Sequence, residues 1–446
     1  MRTRHLNIVG AGLAGPLLAI LLARRGFAVT VYERRGDPRS STHAAGRSIN
    51  LALAARGIRA LEHANVMPQV RPLLIAMRGR MIHELAGPAR LLPYGQREHE
   101  LIYSIGRGAL HRLLVEEAAR YPGVTLQFEQ ACVAAEAERD ALVLRDVVTG
   151  RAYELPLTPT LATDGAGSPV RTRLAEQGLL AAREELLDHD YKELTLPAAA
   201  GRHVLAPEAL HIWPRHGFML IALPNTDGTF TATLFLPRTG PCSFAALRTE
   251  RAVHELFARA FPDALPLMPA LGQEFRTHPQ GRLGTVHAAP WHIGGRVLLM
   301  GDAAHAIVPF HGQGMNAAFE DCCVLDALLD RHERWESLFE AFEAERRPNA
   351  AAIAQMAIEN YGEMRERVLD PRFLRQKAWA LELERRFPDR FIPRYSMVMF
   401  HADISYAEAR RRGAVQQEIL DRLEERSGGS DRLDHELARE LITRRL

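Results

Sequence analysis

The sequence predicts an α/β protein in which a parallel-sheet domain is interleaved with a mostly antiparallel β-sheet domain and followed by a helical C-terminal region. Three features of the chain lead to this prediction. Residues 5–33 have the pattern of a strand, a glycine turn, a helix and a second strand; residues 191–236 contain several strand-like apolar runs; and residues 346–446 carry helical patterns almost throughout. A length of 446 residues also suits two or three domains better than a single core.

The opening segment predicts a β-α-β unit. Residues 5–9 are typical of a short buried strand, residues 17–25 of an apolar helix, and residues 27–33 of a second strand. An amphipathic helix is predicted over residues 107–120, and Asn225-Thr-Asp-Gly228 has the composition of a hairpin turn. Further strands are predicted at 124–136, 141–157, 160–163 and 296–300.

The composition is that of a globular enzyme. Hydrophobic residues make up 47% of the chain, charged residues 25%, and the formal net charge is +2, so nothing favours a nucleic-acid partner. The four cysteines do not stand at metal-ligand spacing, and we expect no metal site. Neither a signal peptide nor an apolar run of about 18 residues is recognisable. We therefore expect a cytoplasmic protein without a membrane anchor.

The turn after the first strand reads Gly10-Ala-Gly12-Leu13-Ala14-Gly15. In this pattern the first glycine permits a tight turn, the second lets the backbone approach a pyrophosphate, and the third lets the helix pack closely on the sheet. Amides at the helix N-terminus favour the anionic phosphates. Glu33 ends the second strand, where a carboxylate accepts from a ribose hydroxyl, which favours FAD or NAD over NADP. A purely structural glycine turn is the alternative interpretation.

Two further motifs follow strands. Gly301-Asp302-Ala-Ala-His305 leads into Pro309 and the run Gly312-Gln-Gly-Met-Asn316, where an aspartate and helix amides can bind ribityl and flavin groups. His305 is better interpreted as a structural residue than as a base. The segment Asp164-Gly-Ala-Gly-Ser168 is by itself an ordinary turn and helix cap.

The three motifs, in their order along the chain from Gly10 through Asp164 to Gly301, resemble those of the class A flavoprotein hydroxylases, which are FAD-dependent aromatic monooxygenases. A narrower set of segments resembles the branch of that family that hydroxylates kynurenine; they are residues 46–53, 80–83, 93–95, 191–197, 211–215, 301–310, 360–361 and 391–395. The chain departs from the family at three points. Ala414–Leu446 is charged where eukaryotic members carry a membrane-anchoring segment, His311 replaces a common Phe, and Ser104-Ile-Gly-Arg107 replaces Ser-Val-Ser-Arg. A soluble bacterial type of enzyme is implied.

The resemblance implies a domain arrangement and a reaction. It implies a discontinuous Rossmann-like FAD-binding domain formed by residues 1–68, 100–182 and 284–345. It also implies an antiparallel substrate domain formed by residues 69–99 and 183–283, and a C-terminal helical region over residues 346–446. The reaction that the resemblance implies is the hydroxylation of L-kynurenine: FAD is expected to be held non-covalently and reduced by NADPH, and O2 is expected to add at flavin C4a to give the hydroperoxide that hydroxylates the substrate. Because the cofactor carries the chemistry, we assign no catalytic side chain. The expected setting is tryptophan catabolism by the kynurenine pathway, and the expected assembly is a monomer or homodimer.

Motifs and resemblance together assign residues to FAD binding. They are Gly10, Gly12, Leu13, Ala14, Gly15, Glu33, Arg34, Arg47, Arg107, Asp164, Gly301, Asp302, Pro309, Gly312, Gly314, Met315 and Asn316. Arg47 and Arg107 are expected to contact flavin phosphates or to organise loops, with a simple salt bridge as the alternative for both.

For the substrate, Arg80 is the expected partner of a carboxylate, because its planar guanidinium matches that group bidentately. Tyr94 and Tyr395 are expected to donate to the same carboxylate, and Asn360 to meet the amino group. The apolar wall and the loop beside the ring are assigned to Ile221, Leu223, Phe235, Phe310 and Gln313. A surface charge for Arg80, and sheet-core packing for the wall residues, remain the alternative interpretations.

Two other functions stay open at this stage. One is a related flavin hydroxylase that acts on another anthranilate-like or substituted kynurenine substrate. The other is a flavin-binding protein that has lost hydroxylation and serves as a sensor or scaffold, which the retained set of Arg80, Tyr94, Asn360 and Tyr395 argues against. Activity on a panel of tryptophan catabolites separates the two hydroxylase functions, and NADPH oxidation that kynurenine fails to stimulate would support the sensor or scaffold.

Overall fold

A computed structural model describes residues 4–40 and 50–446 of the chain. Arg47 and the first part of the 46–53 segment therefore lie outside the described residues. The strands are β1 His5–Val9, β2 Ala28–Tyr32, β3 Asn50–Leu53, β4 Ile75–Met77, β5 Gly79–Ile82, β6 Arg90–Pro93, β7 Ile102–Gly106, β8 Val124–Gln127, β9 Gln130–Glu136, β10 Ala141–Asp146, β11 Ala152–Pro156, β12 Thr160–Ala162, β13 Ala181–Leu196, β14 Ala209–Arg215, β15 Phe218–Pro224, β16 Phe230–Pro237, β17 Gln280–Ala289, β18 His292–Ile293 and β19 Val297–Leu299.

The helices alternate with these strands in the first part of the chain, and the described C-terminal quarter contains helices without strands. They are α1 Ala14–Arg24, α2 Ala55–His63, α3 Met67–Val70, α4 Arg107–Ala119, α5 Pro169–Glu176, α6 Glu250–Ala260, α7 Leu271–Thr277, α8 Asp302–His305, α9 Gly314–Leu328, α10 Trp335–Arg365, α11 Pro371–Arg386, α12 Arg394–Phe400, α13 Tyr406–Ser427 and α14 His435–Arg445. The predicted α/β class with a helical C-terminal region is confirmed.

The chain divides into two compact units. The first contains the described residues of Met1–Leu74 together with Ile105–Leu186 and Gly284–Ala354, and the second contains Ile75–Ser104, Leu187–Leu283 and Gln355–Leu446. Most of the C-terminal helices are thus grouped with the antiparallel sheet. The separate functions of the predicted domains stay a prediction.

The first unit is built on a six-stranded sheet with the order β18-β19-β12-β1-β2-β8. β1 lies between β12 and β2 and pairs in parallel with both, as do β12 with β19 and β2 with β8. β1 and α1 are almost wholly buried, which explains their apolar sequences. Helix α1 begins at Ala14, three residues before the apolar run that predicts it, because the glycine turn already has helical geometry at Leu13.

The second unit is built on a seven-stranded sheet with the order β17-β13-β16-β15-β14-β5-β6, in which the residues of β13 and β17 are shared with the first unit. Strands β14, β15 and β16 form an antiparallel meander, and β5 joins β14 in parallel. One face of this sheet packs on α6 and α7 through a core that includes Trp213, Leu220, Phe230, Phe257 and Phe261.

The C-terminal helices α11, α13 and α14 have a separate apolar core. It contains Trp379, Leu383, Phe391, Ile419, Leu423 and Ile442, all nearly or fully buried. Helix α13 ends at Ser427, where Gly428 adopts a left-handed conformation with φ of 59°, so the Ser427–Ser430 segment is the break that the sequence predicts.

Candidate active site

The glycine turn of the first unit is packed tightly on its inner side and is open on its outer side. Gly10 has a φ of 96°, and a Cβ there would lie 2.7 Å from Cα of Asp164. A Cβ on Gly15 would lie 2.0 Å from the carbonyl oxygen of Gly10, whereas a Cβ on Gly12 would meet nothing within 4 Å. No side chain caps the N-terminus of α1. The turn therefore leaves room and N–H donors for a pyrophosphate beside Gly12.

Glu33 stands next to this turn at the end of β2, and its side chain is nearly buried. The carboxylate accepts from the backbone N–H of Ala11 at 2.8 Å and from both the backbone N–H and Nε of Arg35 at 2.9 Å. Burial raises the pKa of Glu33, but the bonds and charge of Arg35 outweigh it and lower the pKa below its ordinary value. Arg34, which the sequence singles out, is exposed, and the guanidinium that pairs with Glu33 belongs to Arg35.

Helix α4 contacts the turn through a residue that the sequence analysis missed. His111 Nε2 lies 2.5 Å from the carbonyl oxygen of Ala11, so this nitrogen carries the proton and donates. Burial lowers the pKa of His111, which keeps the ring neutral. Arg107, one turn earlier at the start of α4, is exposed.

The Gly301-Asp302 motif is held by a buried ionic network. The N–H of Gly301 donates to Asp321 Oδ2 at 2.9 Å, His305 Nε2 lies 2.7 Å from the same oxygen, and Arg346 Nε donates to Asp321 Oδ1 at 2.7 Å. Burial raises the pKa of Asp321, but the charges of His305 and Arg346 bring it down to about 2. Asp302 itself is exposed in the first turn of α8. His305 thus has a structural role in this network.

The loop before α9 is fixed by Asn316. Its Oδ1 accepts from the N–H of Ala54 at 2.9 Å, and its Nδ2 donates to the carbonyl oxygens of Ala52 and Gly312 at 2.8 Å. The Asn316 side chain therefore orders the loop, and its assignment to FAD binding stays a prediction. Of the remaining assigned residues, Pro309 is exposed, Gly312 and Gly314 are partly buried, and Phe310, Gln313 and Met315 are buried.

Asp164 combines a capping contact with an unused oxygen. Ser168 Oγ donates to Asp164 Oδ2 at 2.8 Å and caps α5 by accepting from the N–H of Arg171 at 3.0 Å. Within the described part of the chain, the buried Oδ1 of Asp164 has no hydrogen-bond partner. Burial raises the pKa of this carboxyl to about 6. The segment thus forms the predicted turn and helix cap, and Asp164 Oδ1 remains as a hydrogen-bond acceptor.

These features meet at one edge of the six-stranded sheet. β19, β12, β1 and β2 are parallel neighbours, and Gly301, Asp164, Gly10 and Glu33 follow their carboxyl ends. In open α/β sheets this edge is where nucleotides bind. The open glycine turn, the ionised Glu33, the exposed Asp302 and the unused Asp164 oxygen fit a dinucleotide such as FAD.

The second unit brings the predicted carboxylate-binding residues together. Arg80 is 4% exposed, so it is not a surface charge. Its Nη1 donates to Glu363 Oε1 at 2.9 Å and its Nη2 to Asn360 Oδ1 at 3.3 Å. The guanidinium lies 4.8 Å from the ring centre of Tyr395, which stacks on Tyr94 at 5.7 Å.

The charges of this cluster favour an anionic ligand. Burial raises the pKa values of Tyr94 and Tyr395, so both hydroxyls stay protonated and can donate. Burial works against the charge of Arg80, but Tyr395 and Glu363 raise its pKa overall, so it remains a cation. Lys377 on α11 interacts electrostatically with Arg80 and Glu363, and burial lowers the pKa of Lys377 to about 8. Two cations thus face one carboxylate.

In the Arg80 cluster, Glu363 and Lys377 are the residues that the sequence analysis missed. Glu363 follows Asn360 by three residues on α10 and therefore shares its helix face, a spacing that the sequence displays. Lys377 stands on a different helix, and nothing in its local sequence connects it to Arg80.

The candidate wall residues share one sheet face with Arg80. In the register of the sheet, Arg80 pairs with Leu210 and Ile82 with Ile212, Ile212 pairs with Ile221, and Met219 pairs with Phe235. Because side chains alternate along a strand, Arg80, Ile221, Leu223 and Phe235 point to the same side. The core on α6 and α7 lies on the opposite side. Packing in that core therefore does not explain the wall residues, whereas Phe310 and Gln313 belong to the first unit.

Among residues 4–40 and 50–446, the structure contains no helix with both the length and the apolar character needed to cross a bilayer.

Comparison with known proteins gives a consistent result along the chain. Residues 2–357 match the FAD binding domain family. The chain is 50% identical over 418 residues to the kynurenine 3-monooxygenase of Xanthomonas axonopodis pv. citri (strain 306), a match that covers 94% of this chain and 91% of that protein. It is 48% identical over 446 residues to the enzyme of the same name from Xanthomonas oryzae pv. oryzae (strain MAFF 311018), covering 99% and 97% of the two chains.

Solved structures share the fold at low sequence identity. The tetrameric form of 2-methyl-3-hydroxypyridine-5-carboxylic acid oxygenase superposes with a TM-score of 0.66 at 21% identity, covering 83% of this chain and 95% of that one. PqsL of P. aeruginosa in complex with 2-aminobenzoylacetate superposes with a TM-score of 0.64 at 22% identity, covering 81% and 97%. At this identity the likeness concerns the fold alone.

Proposed function

Because this chain belongs to the kynurenine 3-monooxygenase family of FAD-dependent monooxygenases, we propose that it hydroxylates L-kynurenine to 3-hydroxykynurenine. NADPH and O2 are the co-substrates, one oxygen atom enters the ring, and NADP⁺ and water are the other products. The kynurenine pathway of tryptophan breakdown is the proposed setting.

The observation that carries this proposal is the buried cluster around Arg80. An amino-acid substrate is a zwitterion at neutral pH, so its site needs a cation for the carboxylate and an acceptor for the ammonium group. Arg80 supplies the cation, and Tyr94 and Tyr395 supply neutral donors beside it. Glu363 and Asn360, both bonded to Arg80, supply the acceptors.

The rest of the substrate is an aromatic ring, and the same sheet face offers an apolar surface for it. Ile221, Leu223 and Phe235 stand on that face, and Phe235 is 2% exposed. An anchored amino-acid end and an apolar wall together fix the ring in one orientation, which positions a single carbon for reaction. The aniline nitrogen of kynurenine already activates the neighbouring ring carbon.

FAD, when bound by the first unit, supplies the redox chemistry by the C4a route of the family. Gly12 leaves space for its pyrophosphate, and Glu33 and Asp302 are the proposed ribose and ribityl partners. The protein's own contribution is to hold the cofactor, bind the substrate and exclude water.

The test is NADPH oxidation by the FAD-loaded protein with and without L-kynurenine, with the product identified by mass spectrometry. We expect oxidation to rise with kynurenine and 3-hydroxykynurenine to form in step. A panel of other tryptophan catabolites and anthranilate-like acids serves as the comparison. Oxidation that kynurenine leaves unchanged, or faster turnover with another member of the panel, would refute the proposal.

A further inference from the structure

Two histidines on the sheet face opposite Arg80 form a continuous chain of hydrogen bonds. His83 directly follows β5, the strand that carries Arg80, and His211 lies on the neighbouring β14. His83 Nδ1 is 2.8 Å from Asp263 Oδ2, His83 Nε2 is 2.8 Å from His211 Nδ1, and His211 Nε2 is 2.9 Å from the carbonyl oxygen of Ala206. Both rings are buried.

The partners of this chain determine how many protons it holds. The carbonyl oxygen of Ala206 only accepts, so His211 Nε2 carries a proton. Burial raises the pKa of Asp263, but bonds from His83 and Trp213 lower it below its ordinary value, so the carboxylate is ionised and His83 Nδ1 also carries a proton. The hydrogen bond between His83 Nε2 and His211 Nδ1 requires a third proton, because one of these two nitrogens must be the donor. Two imidazoles therefore share three protons and one positive charge.

The surroundings place that charge on His83. Burial lowers the pKa of His211 to about 4, so this ring is the neutral one. The His83 ring lies on Trp213 at 4.1 Å with only 21° between the planes, a geometry that favours a cation over an indole. The indole N–H of Trp213 donates to both oxygens of Asp263, which keeps the counter-ion in place.

We propose that His83 is a positioning residue for the substrate site: as a cation donating to both Asp263 and His211, it fixes the strand that presents Arg80. The proposal rests on the assignment of Arg80 to the substrate carboxylate. β5 has only four residues, so its place beside β14 depends on few backbone bonds. Without the third proton, two nitrogen lone pairs face each other across 2.8 Å, and this side-chain link between the strands is lost.

Two other charged groups stand near the histidine pair. Glu208 lies close enough to act on His211 and favours its protonated form. Arg215 donates from Nη1 to the backbone oxygen of His83 at 2.9 Å and is attracted to Asp263. Neither contributes a donor or acceptor to the three-bond chain, so the proton count is unaffected by them.

The kinetic test compares His83→Gln with His211→Gln in the FAD-loaded, full-length protein. A glutamine at 211 can donate to Ala206 and accept from His83, so KM for L-kynurenine should stay near that of the wild type. A glutamine at 83 cannot donate from two opposite ends, so KM should rise roughly three- to tenfold, the size of one net hydrogen bond, with kcat and FAD content retained. Equal effects at the two positions would overturn the assignment of the charge to His83.

The pH profile separates positioning from general stability. Wild-type KM should rise further at alkaline pH as the shared proton is lost, whereas His83→Gln should lack this rise. The ionisations of the substrate are common to both proteins, so the difference isolates the histidine pair. Identical profiles would overturn the proposal.

A measurement without substrate distinguishes failure of this proposal from failure of the proposed function. In ¹⁵N-histidine NMR of the FAD-loaded wild type at pH 7, with His83→Gln used for assignment, His83 should bear protons on both ring nitrogens. A neutral His83 ring at pH 7 would overturn the inference whatever the substrate proves to be.

Discussion

Nη1 of Arg80 lies 2.9 Å from Oε1 of Glu363, and this ion pair joins a strand to a helix that is 283 residues away in the sequence. Arg80 is 4% exposed and Glu363 has a side-chain exposure of 22%, so water reaches the carboxylate more easily than the guanidinium. The carboxylate of a zwitterionic ligand can pair with Arg80, and its ammonium group can pair with Glu363. The pair therefore offers both charges that the amino-acid group of the proposed substrate requires.

Arg80→Ala should weaken L-kynurenine binding by roughly ten- to several-hundred-fold, because charge-assisted bonds to a partly desolvated carboxylate are worth about 1.5–3 kcal/mol or more. FAD content should remain near normal, since the proposed FAD-binding residues belong to the other unit. Arg80→Lys should restore binding only in part, because an ammonium lacks the planar fork. Titration of FAD-saturated protein measures the affinity, and the exposed Arg71 provides the control Arg71→Ala.

The competing role for Arg80 is a structural salt bridge. In that case Arg80→Ala would lower the thermal stability and flavin content, with kynurenine affinity little changed in the folded fraction. Near-wild-type affinity in FAD-saturated Arg80→Ala would rule out the carboxylate-binding assignment.

Glu363→Gln should distinguish the contribution of the substrate's ammonium group to binding from that of its carboxylate. Loss of the acceptor charge should weaken binding of L-kynurenine by about tenfold, as expected for one charge-assisted bond. A kynurenine analogue without the α-amino group should bind more tightly instead, because Arg80 no longer shares its charge with Glu363. Competition titration with both ligands checks this, and Glu366→Gln, at the residue that follows the end of α10, is the control. The same change in affinity for both ligands would contradict the ammonium assignment.

Asp302→Ala should release FAD more readily while leaving the fold intact. Asp302 is exposed in the first turn of α8, whereas the residues that hold this turn are Asp321 and Arg346. Loss of a carboxylate bond to a ribityl hydroxyl should weaken FAD binding by roughly ten- to a hundredfold. Flavin fluorescence during dilution measures the release, with exposed Asp389→Ala as the control. Equal FAD retention in both variants would remove Asp302 from the cofactor site.

Asp164→Asn should stabilise the FAD-free protein at neutral pH but not at acidic pH. Burial raises the pKa of Asp164 from 3.8 to about 6, so between these values the folded state holds a proton that the unfolded state has lost. Stability therefore falls as the pH rises through this window, and the penalty is complete above it, at most about 3 kcal/mol for a shift of two units. The asparagine variant never ionises and escapes the penalty.

Thermal unfolding at pH 7.5 and at pH 4 measures this difference. The gain in Tm of Asp164→Asn over the wild type should be clear at pH 7.5 and nearly absent at pH 4, whereas exposed Asp389→Asn should show no such dependence. A gain of the same size at both pH values would mean that the ionisation of Asp164 is not its source.

Sequence periodicity accounts for much of the fold because it reflects local requirements. The buried run of β1, the glycine turn and the apolar α1 can be recognised without any distant contact, since each residue type answers to backbone geometry or burial in its own segment. The same holds for Glu33 at the end of β2 and for the break after Ser427. The proposal that Arg80 binds a carboxylate came from the resemblance of whole segments, and the ordinary expectation for a single arginine is a surface charge.

Only the tertiary structure decided which side chains meet. Glu363 and Lys377 contribute to the Arg80 cluster because α10 and α11 bring them there, Arg35 rather than Arg34 pairs with Glu33, and His111 binds the glycine turn from another helix. His83 forms its hydrogen bond with Asp263, a residue 180 positions away. Burial, charge compensation and hydrogen-bond partners are properties of the folded chain, and local sequence carries no record of them.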